Sequence, residues 1–296
     1  IGDVLVENYR GGTMEKLGYG WEDLHPRFPR LIYAAASGFG HTGPYRTRAA
    51  YDMVVQGMGG IMSLTGHPGS PPTRVGTSVG DITAGLFTAI GINAALVERA
   101  RSGQGRKVDV AMLDCQVAIL ENAIARYVST GQVPGPLGAR HPSITPFEAF
   151  RTADGWMIVA AGNDGLFRKL AQALGRPDLA ENALFASNEL RTRHAAALKA
   201  EIEQALAAHG TAHWLEAIDA AGVPCGPIND VAQALADPQV ASRNMVVTAD
   251  DPEIGTLRMA GNPIKLSGVE DPSTRRPAPA LDADRQAILD ELGLGH

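Results

Sequence analysis

The sequence predicts an α/β domain with a parallel sheet, then a smaller α+β domain, then a C-terminal segment that returns to the first domain. Short apolar runs alternate with helix-like segments through about the first 130 residues, which is typical of a parallel sheet with helical connections. A stretch rich in glycine and proline at 131–138 then precedes a series of hairpin and helix signals. The length of 296 residues also favours two domains, at about 150 residues each. We place the domains at residues 1–135, 136–245 and 246–296.

Three buried strands are predicted in the first domain. They are apolar runs bounded by turn residues, as expected for parallel strands that are covered on both faces, at residues 4–6, 31–36 and 108–110. Helical periodicity fills the connections and continues after the third strand. We therefore predict helices at residues 13–18, 50–63, 82–101 and 112–129.

The remainder of the chain begins with a predicted β-hairpin. Two apolar runs, 147–151 and 156–160, flank Asp154-Gly155, a pair that suits a tight primed turn. Helical patterns dominate from there to residue 236. The chain then closes with short strands near 245–248 and 256–259, a proline-rich tail and a helix near 285–292.

The charge balance argues against two classes of partner. The chain carries 26 Lys and Arg residues against 32 Asp and Glu residues, a net charge of −6. Nucleic acids and anionic membrane surfaces are bound by basic surfaces, so we expect neither as a partner. The longest uncharged apolar run, residues 82–97, is shorter than the roughly 20 residues that cross a bilayer.

The two cysteines, Cys115 and Cys225, are far apart and belong to no CxxC or Cys/His motif. They form neither a disulfide framework nor a zinc signature, so we expect no metal site and a reducing compartment. Cytoplasmic location is therefore the expectation. Because the chain opens at Ile1 on an apparent strand, we also expect a preceding stretch, in which any targeting signal would lie.

The segment Gly38-Phe39-Gly40-His41-Thr42-Gly43 spells GxGxxG after a predicted strand, the pattern of a dinucleotide-binding loop. That interpretation needs an acidic residue about 20 positions further on to bind the ribose hydroxyls. No Asp or Glu occurs from residue 53 to residue 80, and Pro44 stands where a helix should run. The motif favours a glycine-rich surface loop.

Gly76-Thr77-Ser78-Val79-Gly80 spells GxSxG, the nucleophile elbow of serine hydrolases. An elbow requires a central strand directly before it, and two adjacent prolines, Pro71 and Pro72, do not fit such a strand. A hydrolase that uses Ser78 therefore remains a minor alternative.

Asp81 follows the same loop and precedes a long apolar helix. It is either an N-cap, which stabilises a helix by about 0.5–2 kcal/mol, or a carboxylate nucleophile whose charge the helix dipole stabilises. Spacing alone does not decide between these two roles.

Together these segments resemble the class III coenzyme A transferases, the family of formyl-CoA transferase and carnitine CoA-transferase. The matching residues run in order along nearly the whole chain, whereas each motif alone is weak. They are the segments 3–10, 37–45, 51–56, 80–85, 98–105, 154–156 and 222–227 and the proline-rich tail. The resemblance also implies that an opening stretch of the family, including part of its CoA site, precedes Ile1.

The resemblance implies a Rossmann-like large CoA-binding domain and a set of site residues. The family's catalytic aspartate corresponds to Asp81. Two further residues, Arg140 and His141, open the small domain and are candidates for substrate contact. The CoA site corresponds to Asn8, Tyr9, Arg10, Lys16, Arg48, Ala49, Ala50, Tyr51 and Asp52.

Three departures from the family pattern bear on specificity. Some members carry Lys at the place of Ala49, so here Arg48 would supply that charge. The consecutive glycines of formyl-CoA transferases are replaced by residues 137–142, which argues against formyl and oxalyl substrates. The α-methylacyl-CoA racemases of the same superfamily need a His where this chain has Tyr51, a poor base with an ordinary pKa near 10.

We therefore expect an enzyme that transfers coenzyme A from an acyl-CoA donor to a small carboxylic acid through aspartyl anhydride and aspartyl-CoA thioester intermediates. No tightly bound cofactor is required, because CoA and acyl-CoA are the substrates. The family also implies an interlocked homodimer, and the irregular tail at 263–284 suits a crossing chain. The alternatives are a racemase-type epimerase and a non-catalytic CoA-binding protein.

Overall fold

A computed structural model describes residues 2–294, which fall into two compact units with the division between Ile144 and Thr145. The first unit includes the segment after residue 135, where the Gly138 amide donates a hydrogen bond of 2.8 Å to the Gly66 carbonyl. The domain boundaries after residues 135 and 245, and the return of the C-terminal segment to the first domain, stay predictions.

A parallel sheet of three strands organises the first unit, in the order β1-β2-β3. The first four residues of its central strand are completely buried and, apart from one tyrosine hydroxyl group, apolar, so the hydrophobic effect explains the position of the strand. The three predicted strands are confirmed to within two residues at each end. They are β1 (Val4–Glu7), β2 (Ile32–Ser37) and β3 (Lys107–Ala111).

Within the described residues, seven helices accompany this sheet. The predicted helix at 50–63 is divided at Gly60, whose φ of 89° lies in the left-handed region that favours glycine. The predicted helix at 112–129 is divided in the same way at Glu121, whose φ is 44°. The helices are α1 (Thr13–Lys16), α2 (Trp21–Leu24), α3 (Asp52–Met58), α4 (Ile61–Leu64), α5 (Val79–Ser102), α6 (Met112–Ala118) and α7 (Asn122–Thr130).

The 24-residue helix α5 is the longest element of the first unit. It packs against β2 and β3, and it buries the small side chains of Ala84, Thr88 and Ala95. By length and composition alone it is apolar enough to cross a membrane, and one of its faces packs on the sheet as helices do in α/β domains. It ends at Gly103, a left-handed C-cap with a φ of 73°.

The second unit starts with the predicted hairpin. Strands β4 (Phe147–Arg151) and β5 (Trp156–Ala160) pair antiparallel with Phe150 opposite Met157, and β6 (Cys225–Pro227) extends the sheet. The helical elements between residues 164 and 242 are α8 (Asp164–Ala173), α9 (Asp178–Glu181), a 3-10 turn (Ala183–Phe185), α10 (Asn188–Arg193), α11 (Ala195–Leu206), α12 (Thr211–Ala220), α13 (Val231–Ala236) and α14 (Pro238–Ser242).

A third small sheet ends the second unit, in the order β8-β7-β9. Its central strand pairs antiparallel with the next strand and parallel with a two-residue strand in the tail. The elements are β7 (Val246–Asp251), β8 (Gly255–Ala260), β9 (Thr274–Arg275) and α15 (Arg285–Glu291). The short strands and the last helix predicted here are confirmed.

Candidate functional site

A cavity of about 790 Å³ lies in the first unit, where β1 and β2 end and α5 begins. In open parallel sheets ligands bind outside the carboxyl ends of the strands, so this is the expected position for a site. Its wall combines cationic and polar residues from the strand ends with small residues from α5. The lining residues are Val6, Glu7, Asn8, Tyr9, Arg10, Ala36, Ser37, Gly38, Arg48, Ala49, Ala50, Tyr51, Asp81, Ala84, Gly85, Thr88, Ala89, Ile92 and Met112.

Eight residues predicted for the site from the sequence come together on this wall. They are Asn8, Tyr9, Arg10, Arg48, Ala49, Ala50, Tyr51 and Asp81. Four others lie elsewhere. Lys16 is the exposed last residue of α1, Asp52 is buried at the start of α3, and Arg140 and His141 belong to the loop before Ile144.

Asp81 lies in the first turn of α5, with its side chain exposed at the cavity wall. Its N-cap role is wrong, because Ser78 occupies the N-cap position and makes no side-chain capping bond. Among residues 2–294 the Asp81 carboxyl group has no hydrogen-bond or ion-pair partner. Partial burial, and then the nearby carboxylate of Asp52, raise the pKa of Asp81 above its ordinary value.

Asp52 is held away from the cavity by two hydrogen bonds to its buried carboxylate. Oδ1 accepts from the amide of Gly80 at 2.8 Å, and Oδ2 accepts from Nε2 of Gln56 at 2.8 Å. Any other residue at position 80 would be crowded, because an added Cβ would lie 2.7 Å from Cγ2 of Val55. Asp52 therefore contacts the residue before Asp81 and not the space inside the cavity.

The segment Asn8-Tyr9-Arg10 is anchored by Glu7, the last residue of β1. The Tyr9 amide donates a hydrogen bond of 2.7 Å to Oε2 of Glu7, and Oε1 lies 3.3 Å from Nε2 of His41. This contact with Glu7 is the main reason why the pKa of His41 is raised. Glu7 thus fixes where the polar segment enters the cavity.

The guanidinium group of Arg48 stands over two aromatic rings. Its Cζ is 4.5 Å from the ring centroid of Tyr45 and 5.4 Å from that of Phe39. Such cation–π contacts restrict the side chain and leave its N–H groups able to bind an anion. With Arg10, Arg48 gives the cavity two cationic groups for phosphates or a carboxylate.

The two glycine motifs behave as the sequence argument predicts. After Ser37, whose Oγ accepts a hydrogen bond of 3.0 Å from the Gly40 amide, residues 38–51 contain turns and no helix. The pattern required for a dinucleotide-binding loop is therefore missing from this described segment. Ser78 is exposed and follows an irregular segment, so it occupies no strand-to-helix elbow.

Burial raises the pKa of both cysteine thiols, which disfavours the reactive thiolate. Cys115 is buried and Cys225 is half-buried.

Sequence reasoning missed five polar or bulky residues on the cavity wall. Glu7 and Ser37 end two parallel strands, a position that could have marked them. Thr88, Ile92 and Met112 give no local signal, because only the packing of α5 and α6 beside the sheet brings them to the cavity.

Comparison with known proteins identifies the family. The chain matches the family described as CoA-transferase family III over residues 2–285. It is 46% identical to acetyl-CoA:oxalate CoA-transferase of Acetobacter aceti, covering 98% of this chain and 74% of that protein. It is 39% identical to succinate–glutarate CoA-transferase of Agrobacterium fabrum, covering 98% of this chain and 72% of that protein.

The crystal structure of a CAIB/BAIF family protein from Brucella suis matches the fold with a TM-score of 0.84 and 40% sequence identity, covering 98% of this chain and 75% of that one. This agreement and the sequence matches extend through both units. The chain belongs to CoA-transferase family III and is a CoA-transferase.

Proposed function

We propose that this enzyme transfers CoA from an acyl-CoA to a small carboxylic acid through covalent intermediates on Asp81. The observation that carries the proposal is the Asp81 carboxyl group, unpartnered among residues 2–294, on the wall of a cavity that also presents Arg10 and Arg48. The first turn of a helix stabilises a negative charge on Asp81 and on an oxyanion that forms beside it.

The reaction proceeds by exchange of one activated acyl group for another. An Asp81 oxygen attacks the thioester carbonyl, the C–S bond breaks, and an aspartyl–acyl anhydride and a CoA thiolate result. The thiolate then attacks Cγ of Asp81, which forms an aspartyl-CoA thioester and releases the donor acid as its carboxylate. Neither step changes the oxidation state of any atom.

The acceptor enters by the reverse sequence. Its carboxylate attacks Cγ of the aspartyl-CoA thioester, which expels the CoA thiolate and forms a second anhydride. The thiolate attacks the acceptor's acyl carbon, and the new acyl-CoA leaves while the Asp81 carboxylate is restored. The raised pKa of Asp81 favours this chemistry, because a more basic carboxylate is a better nucleophile once it is ionised.

The remaining residues of the wall suit the two substrates. Arg10 and Arg48, together with Asn8 and Tyr9, are placed to bind the charged part of CoA, since guanidinium groups bind phosphate in a bidentate manner. Small residues beside Asp81, such as Gly85, leave room for the acyl groups. Oxalate and glutarate in the names of the relatives support a small dicarboxylic acceptor, despite the missing glycine run.

Asp81→Asn tests the mechanism. The amide keeps the shape of the side chain but is a poor nucleophile, so CoA transfer should fall by several orders of magnitude, about as much as loss of a nucleophile costs elsewhere. The melting temperature should hold or rise slightly. A carboxyl group with a raised pKa disfavours folding as the pH rises above its ordinary value, and the neutral amide removes that cost.

Two measurements complete the test. Transfer of CoA from an acyl-CoA to a labelled acid should proceed without ATP, and hydroxylamine should convert the trapped intermediate to a hydroxamate on the peptide that contains Asp81. Ser78→Ala is the control and should transfer CoA normally. An active Asp81→Asn enzyme, or an adduct on Ser78, would contradict the proposed mechanism.

We propose also that the enzyme is a cytoplasmic homodimer. The outer face of α5 exposes large apolar side chains, among them Leu86 and Ile90, which a partner could cover. The mostly irregular tail at 263–284 also supports an intertwined assembly. Light scattering that shows a stable monomer would contradict the dimer, and recovery of the protein from a membrane fraction would contradict the location.

A further inference from the structure

The loop before Asp81 is tied to helix α3 by one continuous chain of hydrogen bonds. The Val75 amide donates to Oε1 of Gln56 at 2.9 Å, and Nε2 of Gln56 donates to Oδ2 of Asp52 at 2.8 Å. Oδ1 of Asp52 then accepts from the Gly80 amide at 2.8 Å. The pair on α3, one helical turn apart, thereby holds both ends of the loop.

Both members of the pair are buried. Gln56 has no exposed surface, and Asp52 is 8% exposed. Hydrogen bonds in such surroundings are strong, and a donor or acceptor left without a partner there costs about 1–3 kcal/mol. The pair therefore has one low-energy arrangement, in which the Gly80 amide lies at a fixed point.

A second contact restrains the same helical turn from the other side. Nε2 of the buried Gln116 on α6 donates to Oγ1 of Thr83 at 3.2 Å. Gly80 packs directly on α3, where even one added carbon would collide with Val55. Asp81 thus follows an amide that Asp52 holds, in a helical turn that Gln116 also contacts, although its own carboxyl group has no partner in residues 2–294.

We propose that Asp52 and Gln56 form a positioning pair that aims the Asp81 carboxylate at the thioester by fixing the Gly80 amide. This inference rests on the proposed function, in which Asp81 is the nucleophile. Nucleophilic attack requires a near-attack geometry, and a displacement of about 1 Å can reduce the rate about 100-fold. The GxSxG sequence is, on this proposal, a tethered loop that precedes the nucleophile, and its serine takes no part in the reaction.

Two substitutions separate the effect of the hydrogen bonds from that of the charge. In Asp52→Asn the side chain at position 52 both donates and accepts, so two donors face each other at Gly80, at Gln56 or, if Gln56 turns over, at Val75, and one hydrogen bond of the network is lost in every orientation. In Asp52→Asn combined with Gln56→Glu, the carboxylate introduced at position 56 accepts from the side-chain amide at position 52 and from the Val75 amide. The double variant rebuilds the chain and moves the negative charge to position 56, losing only a long contact of 3.4 Å with the Thr77 carbonyl.

The experiment compares kcat and KM for CoA transfer, the melting temperature and the rate of hydroxamate formation at Asp81. We expect Asp52→Asn to lower kcat by about 10- to 100-fold with little change in the KM for acyl-CoA, because Asp52 does not line the cavity. The double variant should recover most of kcat and of the trapping rate. Ser78→Ala, on the same loop, is the matched control and should behave as the unaltered enzyme.

Each other outcome is decisive. Asp52→Asn with unaltered kcat, or a folded double variant as slow as the single one, overturns the positioning pair. If Asp52→Asn fails to fold, the double variant alone tests the proposal. Because it restores the hydrogen bonds, it must then be both folded and active. Asp81→Asn, measured in parallel, separates the two proposals: transfer by that variant refutes the nucleophile itself.

Discussion

The two units differ in how they bury apolar surface. The second packs large side chains on one another, and Phe150, Leu170, Leu198, Ile202 and Ile218 are all completely buried in a single core. The first buries Ile32 and Tyr33 but otherwise small side chains along its central strand and under α5, and it exposes large side chains of α5.

This difference separates stability from function. The second unit has a large core of its own, whereas the first carries the cavity and the proposed nucleophile beside a helix that buries only small side chains and exposes large apolar ones. Small side chains let α5 approach the sheet closely, which brings Asp81 to the carboxyl ends of β1 and β2. The cost is a smaller gain of free energy per buried residue.

The largest expected effect on stability comes from replacing an isoleucine by alanine in each unit in turn. Ile202→Ala removes a fully buried side chain from the second unit and should lower the free energy of unfolding by about 2–5 kcal/mol. Ile90→Ala removes a side chain that is 62% exposed within one chain, so a loss within about 0.5 kcal/mol is expected of a monomer and a larger loss of the proposed homodimer. Urea unfolding measures both. Equal losses would show that the outer face of α5 is covered in solution.

A smaller effect is expected at the contact between α3 and α5. Gly80→Ala should destabilise the protein by about 1–3 kcal/mol and slow CoA transfer, because the added carbon meets Val55 and the Asp52 carboxylate. Gly85→Ala, on the same helix, meets nothing within 4 Å and should instead stabilise the protein by up to about 1 kcal/mol. Thermal unfolding of the pair checks the contrast, and equal shifts would contradict it.

The smallest effect concerns the tail of the second unit. Hydrogen bonds from Lys265 and Arg275 lower the pKa of Asp271 from its ordinary 3.8 to about 2. A lowered pKa means that the stabilisation is present above the ordinary value and is lost as the pH falls through about 2. Asp271→Asn should therefore be slightly less stable at neutral pH and equal to the unaltered protein in strong acid. A difference that persisted in acid would point to packing.

Local patterns were enough to predict the three strands of the first unit, the hairpin at Asp154-Gly155 and the long helix after Asp81. These patterns failed at Gly60 and Glu121, where the backbone leaves the helical conformation although the apolar periodicity of the sequence continues. The sequence alone left Asp81 between a cap and a nucleophile, since the difference of three positions between Ser78 and Asp81 is within the error of a predicted helix end, about two to four residues.

The placement of Asp52 was beyond any local signal. The resemblance put it in the CoA site beside Tyr51, which does line the cavity. The Tyr51 side chain lines the cavity, whereas the Asp52 carboxylate lies outside it because it accepts hydrogen bonds from Gly80 and Gln56. The bond from Gly80 joins segments that lie far apart in sequence, and only the assembled fold shows it.

The order of the parallel sheet also has a consequence for the synthesis of the chain. Strand β2 ends at Ser37, but β3, which covers one of its edges, begins only at Lys107. Until that later strand leaves the ribosome, the mostly apolar segment Ile32–Ser37 presents an unpaired edge of the kind that recruits other strands. A nascent chain arrested between these two points should therefore be prone to aggregation, whereas the hairpin of β4 and β5 closes within a few residues of its own synthesis.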